Sequence, residues 1–152
     1  MALSQNEHLR ACAQMIEDVL KSRGLDVAKS RTKSDGGPAW SLREGSAEVL
    51  VFLTEGTGDV HTLQVVAPVM RPTLDALVTG ALCRSLLELN ANGLHQAAFG
   101  LFGGDVVLTA DRSTAGLDPI EVEEMIRRVA EYADQYDDSL VAEFGGKRSS
   151  DR

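Results

Sequence analysis

Apolar residues recur at three- and four-residue intervals in three long stretches of the chain, and shorter runs of alternating or continuous apolar character lie between them. The pattern predicts three helices and five strands in the order α-β-β-β-α-β-β-α, an α+β fold with an antiparallel sheet. In the first stretch, Ser4 to Arg23, one stripe collects Leu9, Cys12, Ala13, Ile16, Val19 and Leu20. Ser4 and Glu7 supply a capping box, and Gly24 follows the last turn.

Leu25 to Gly37 is polar and ends in the breaker Gly36-Gly37-Pro38, so it reads as a loop or sheet edge. Strand patterns follow at Ala39 to Glu44, Ala47 to Thr54 and Val60 to Ala67, the last two joined by a turn at Gly56, Gly58 and Asp59. In the middle strand Val49, Val51 and Leu53 point one way and Leu50 and Phe52 the other, so both faces are apolar. A half-exposed antiparallel sheet needs only one such face. Either helices cover both sides or the second side docks something else.

Pro68 and Pro72 close this meander, and Thr73 to Asn92 reads as a helix ended by Gly93. Leu74, Leu77, Val78, Ala81, Leu82, Leu86 and Leu89 give it a wide apolar face. Ala76, Gly80, Cys83 and Leu87 form a second seam on roughly the opposite side. A hairpin, Gln96 to Phe102 and Asp105 to Asp111, turns at Gly103-Gly104. Leu117, Asp118, Pro119, Glu121 and Val122 then combine an N-cap, a first-turn proline, a capping-box carboxylate and a hydrophobic staple. The helix they start buries Val122, Met125, Ile126, Val129, Ala133, Tyr136 and Leu140 and turns an acidic face outward. Residues 1–146 thus make one domain, and 147–152 read as a flexible polar tail.

Composition narrows the function. The chain has 152 residues and a formal net charge of -8. That balance disfavours nucleic acid and anionic membrane as partners and favours a basic protein segment. No run is apolar and long enough to span a membrane, and residues 1–10 have no signal-peptide core, so the expected location is the cytoplasm.

Catalytic signatures are missing. His8, His61 and His95 have no metal-ligand spacing, and Cys12 and Cys83 form no CxxC pair and read as packed thiols. Gly56-Thr57-Gly58-Asp59 lies between strands and lacks the third glycine of a dinucleotide loop. Ser113-Thr114 has no nucleophile elbow around it. The reading is a non-enzymatic protein without a cofactor.

Three segments resemble the type III secretion chaperone fold, and its YbjN-like bacterial branch in particular. They are Leu86-Leu87-Glu88-Leu89-Asn90-Ala91, Leu94-His95-Gln96-Ala97-Ala98-Phe99-Gly100-Leu101 and Ala130-Glu131-Tyr132-Ala133-Asp134-Gln135-Tyr136-Asp137, within a likeness running from Glu7 to Gly146. The resemblance implies an acidic homodimer that holds an extended client segment. It places the second helix at the dimer contact, where Ala76, Gly80, Cys83 and Leu87 stand. It also implies client binding by the first helix and an exposed sheet face, through Leu9, Ile16, Leu20, Leu50 and Phe52. Two alternatives stay open: these residues belong to the intramolecular core, or the domain is a regulator that binds a small ligand.

Overall fold

The structure, a computed structural model, describes residues 5–151. Its elements are α1 (Gln5–Ser22), α2 (Val27–Ser30), β1 (Arg31–Thr32), β2 (Ala39–Glu44), β3 (Ala47–Thr54), β4 (Thr62–Arg71), α3 (Ala76–Asn92), β5 (Ala98–Phe102), β6 (Asp105–Ser113), α4 (Pro119–Phe144) and β7 (Lys147–Arg148), followed by a 3-10 turn, Ser149–Asp151. The strands form one antiparallel sheet in the order β1-β2-β3-β4-β6-β5, with β7 added to β4. The expected α+β class and antiparallel sheet are present.

Register decides which side of the sheet is the core. Trp40 pairs with Val51, Leu42 with Val49, Val51 with Val65, Val65 with Ala110 and Ala67 with Leu108, so these residues share one face. All of them are buried in the same cluster as Ile16, Val19 and Leu20 of α1, Leu82 and Leu86 of α3, and Val122, Ile126, Val129 and Ala133 of α4. The long helices therefore lie together on one side. Arg23 at the end of α1 bonds Glu44 of β2 and reaches Glu123 of α4 at 3.6 Å, which ties the helical layer to the sheet. At the other end Asn90 of α3 brackets β5, its side-chain carbonyl accepting from Phe99 N–H at 2.7 Å and its amide donating to Phe99 C=O at 3.1 Å. The Phe99 ring meets Tyr136 of α4 edge-on, with centroids 5.6 Å apart.

Among the described residues, seven strands and four helices replace the expected five and three. The additions are α2, β1 and β7, pieces too short to show a hydrophobic period. Residues 147–151 are built into the fold where a free tail is expected: Lys147 and Arg148 pair with Arg71 and Met70, and Arg148 bonds Asp138 at 2.7 Å and Asp151 at 2.8 Å. Strand β4 also runs on to Arg71 through Pro68, with a bulge between Pro68 and Met70. The Ser4 cap lies outside the described residues.

The start of α4 forms as its sequence predicts. Asp118 accepts from Glu121 N–H at 2.9 Å while the Glu121 carboxylate accepts from Asp118 N–H at 3.0 Å, with Pro119 in the first turn. Replacing Asp118 by Ala leaves the Glu121 N–H without its side-chain acceptor. Urea unfolding should show a loss of about 1 kcal/mol for that variant, and an unchanged midpoint would mean that the cap does not hold α4 in place.

Candidate functional site

Helices cover only one side of the sheet among the described residues. On the other side the register gathers Ala39, Leu50, Phe52, Val66, Pro68 and Val107. Ala39, Val66 and Val107 are buried and stand apart from the main core, while Leu50 and Phe52 are half-buried. The two apolar faces read from β3 are thus real, and one has no helix on it.

The remaining client-facing candidates lie elsewhere. Ile16 and Leu20 are fully buried against the sheet, and Leu9 is partly buried against the same cluster. Their stripe is the inner face of α1, so Ile16 and Leu20 offer no surface to a partner. The correction has a simple cause: a single apolar stripe on a helix looks the same whether it meets its own sheet or a client.

Beside α1 the structure has a shallow groove of about 450 Å³ whose walls include Ala13, Glu17, Arg31, Pro38 and Trp40. It exists because β1 adds to the edge of β2, an arrangement that no period in the sequence reveals. Glu17 organises it. Arg31 donates to Glu17 through Nε at 2.8 Å and Nη2 at 3.1 Å, and the Trp40 indole N–H donates at 3.2 Å. The Arg31 hydrogen bonds lower the Glu17 pKa by more than burial raises it, and Trp40 and the Arg31 charge act in the same lowering direction.

The seam on α3 faces away from the protein. Ala76, Gly80 and Leu87 are exposed and Cys83 is half-buried, whereas Leu82 and Leu86 on the opposite side are sealed in the core. A side chain at Gly80 would meet no atom within 4 Å. Leu74 and Leu77, which the apolar pattern assigns to the inner face, prove exposed and extend this outer surface, with Leu77 87% and Leu87 68% accessible. Leu101 and Phe102 on the β5–β6 hairpin are exposed as well.

His61 is 1% exposed and its Nδ1 accepts from Gly56 N–H at 3.2 Å, which locks the β3–β4 turn. His8 pairs with Asp59 at 3.3 Å, and His95 is exposed before β5. Among the described residues no group of His, Cys, Asp and Glu is placed to hold a metal ion, and no helix is long and apolar enough to cross a membrane.

Comparison with known proteins places this architecture. The family model YbjN, described as "Putative bacterial sensory transduction regulator", matches residues 13–142. Similar solved structures include the HopA1–SchA chaperone–effector complex, at 11% identity and TM-score 0.61 over 90% of this chain and 99% of that one. The ExsC–ExsE complex matches at 16% identity and TM-score 0.59, over 92% and 97% of the two chains. The ExoU–SpcU heterodimer from the type III secretion system of Pseudomonas aeruginosa matches at 18% identity and TM-score 0.58, over 85% and 97%. These likenesses establish a shared fold. No curated protein matches the chain.

The Glu17 carboxylate gives the groove beside α1 a pH signature. Because its folded pKa is depressed, its contribution to stability is present at neutral pH and is lost as the pH falls through the folded value. Glu17→Gln should therefore melt below the wild type at pH 7, with the gap closing as the solution is acidified through and below the glutamate range. A gap independent of pH would show that the Arg31 contact is without weight.

Proposed function

The chain belongs to the YbjN family, and from that premise we propose that it is a non-enzymatic, chaperone-like adaptor that holds an extended segment of a client protein. The observation that supports this reading best is the sheet face of Leu50 and Phe52, an apolar surface over which no long helix lies among the described residues. A segment laid on that face would gain affinity from apolar contact, and one lying in the groove of Trp40 and Glu17 would meet a mixed apolar and charged wall. The similar solved structures include a chaperone–effector complex, which agrees with a protein partner. An acidic chain with net charge -8 favours a basic client segment.

The proposed working unit is a homodimer joined through the outer face of α3, with Ala76, Gly80, Cys83 and Leu87 at the contact. Leu77 and Leu87 are largely uncovered by the described residues, and burying each would contribute about 1.5–3 kcal/mol before the cost of association. Small residues at Ala76 and Gly80 let a second α3 approach closely. The family description also favours a second reading, a regulator of small-ligand type. Saturating ligand at 100-fold its Kd would raise stability by about 2.7 kcal/mol, which a thermal-shift screen of metabolites detects.

Two experiments test the main reading. Phe52→Asp, with its circular dichroism unchanged, should abolish co-purification of a defined protein from the native cytosol; retention of the same partner would remove the open sheet face from the site. Gly80→Leu fills empty space in the single chain, so it should leave the fold intact and halve the mass seen by light scattering. A dimer that persists in this variant, or a wild type that is monomeric, would sink the α3 contact.

A further inference from the structure

We propose a second binding site at the opposite end of the sheet from β1, a groove between the end of β6 and the first turns of α4 that takes a short, basic, extended peptide by strand addition. A cavity of about 710 Å³ lies there, with Ala110 and Met125 in its floor and Glu121, Glu124 and Arg128 along one wall. Residues 121, 124, 125 and 128 follow helical spacing, so one face of α4 forms that wall. The other wall is the edge of β6 itself.

That edge is open, as the ladder geometry demonstrates. Strand β5 begins at Ala98, opposite Thr109, and pairs nothing beyond it. On the other side of β6, Thr114 N–H donates to His61 C=O at 2.9 Å, which makes that pair the hydrogen-bonded type. Antiparallel alternation then turns the main chains of Arg112 and Ala110 toward β4, and those of Asp111 and Ser113 away from it into the groove. Among the described residues, no backbone bond from the loop before β5 reaches Asp111. Its N–H and C=O stand ready for one residue of an incoming strand.

The chain is bent away to keep the space clear. Gln96 has φ 55, the only non-glycine residue with positive φ among those described, and it turns the backbone out of the β5 line just before Ala98. A non-glycine residue held there is strained, and such strain persists where the surroundings impose it. The groove is also kept rigid: Arg112 donates to Ser113 C=O at 2.9 Å and Ala115 C=O at 2.8 Å and pairs with Glu121 at 2.7 Å.

Charge selects the occupant. With Arg112 and Glu121 spent on each other, Asp111, Glu124 and Arg128 remain around the groove, two carboxylates against one guanidinium. An extended segment carrying lysine or arginine on one side and β-formers on the other matches both the edge and the charge. The groove lies on the far side of β4 from β2 and involves neither Phe52 nor Gly80, and the Asp111 side chain is on the same sheet face as Phe52 but two strands away from it.

The probe is an acetylated, amidated heptapeptide of alternating valine and lysine. Two controls accompany it: alternating valine and glutamate, and alternating proline and lysine, which keeps the charge but cannot pair as a strand. Titrated into the 15N-labelled full chain, the valine–lysine peptide should shift the amides of Asp111, Ser113 and Gln96 to Ala98, and neither control should. Asp111→Pro removes the groove-facing N–H without touching the β4 ladder and should weaken binding about fivefold to tenfold, the loss of one main-chain hydrogen bond. Glu124→Lys, at an exposed helix position, should weaken it by a similar factor, and it carries the test if Asp111→Pro fails to fold. Equal binding by the proline–lysine peptide, unaltered affinity in the variants, or shifts confined to the outer face of α4 would overturn the site. None of these outcomes depends on a client or a dimer.

Discussion

Strand β4 lies between β3 and β6 and under α4, and every other part of the sheet is fixed by how its two edges are used. Leu63, Val65 and Ala67 send their side chains into the core, and their main chains bond toward β6, as the Thr114–His61 bond requires. The even-numbered residues then bond toward β3, which pairs no further than Val66. Pro68 is the next residue facing that side, where a missing N–H costs nothing because β3 has already departed. A proline that would break a central strand is tolerated at this point. Past the bulge, β7 takes over the vacated edge at Met70 and Arg71.

The same strand determines where the helices go. With the core side defined by Leu63, Val65 and Ala67, the stripes of α1, α3 and α4 all converge on it, and α4 runs along β4 with Val122, Ile126 and Val129 fully buried. Among the described residues no long helix is left for the other face, yet β3 and β4 carry apolar residues there too. Leu50 and Phe52 are therefore left over from the intramolecular packing. Under the proposed function, that half-buried apolar surface is the one a client segment would cover.

Much of this was legible in the residues, and the failures have identifiable causes. The α4 cap, the hairpin glycines, the double-faced strand β3 and the outer seam of α3 each depend on local chemistry or on a period, and each is present in the structure. Ile16 and Leu20 were unreadable as core or surface because helical spacing reports that a face is apolar and is silent on what meets it. The apolar pattern turns Leu74 and Leu77 inward for the same reason: a helix apolar on most of its circumference has no unique inner face, and α3 begins only at Ala76. The groove beside β6 was hidden more deeply. It depends on where β5 starts, which the backbone of Gln96 determines, and a glutamine gives no hint of positive φ.

The location of α3 bears on how the two proposed contacts combine. It stands on the helical side of the sheet, where Asn90 holds it to β5 and Leu82 and Leu86 face inward. A second copy meeting Gly80 and Leu87 would approach from that side, while Leu50 and Phe52 look out from the opposite one. Association through α3 thus buries none of the open sheet face, and each copy in a pair keeps its own. A long extended client could then engage both faces at once, and linking two weak contacts in this way raises affinity without adding any contact to either.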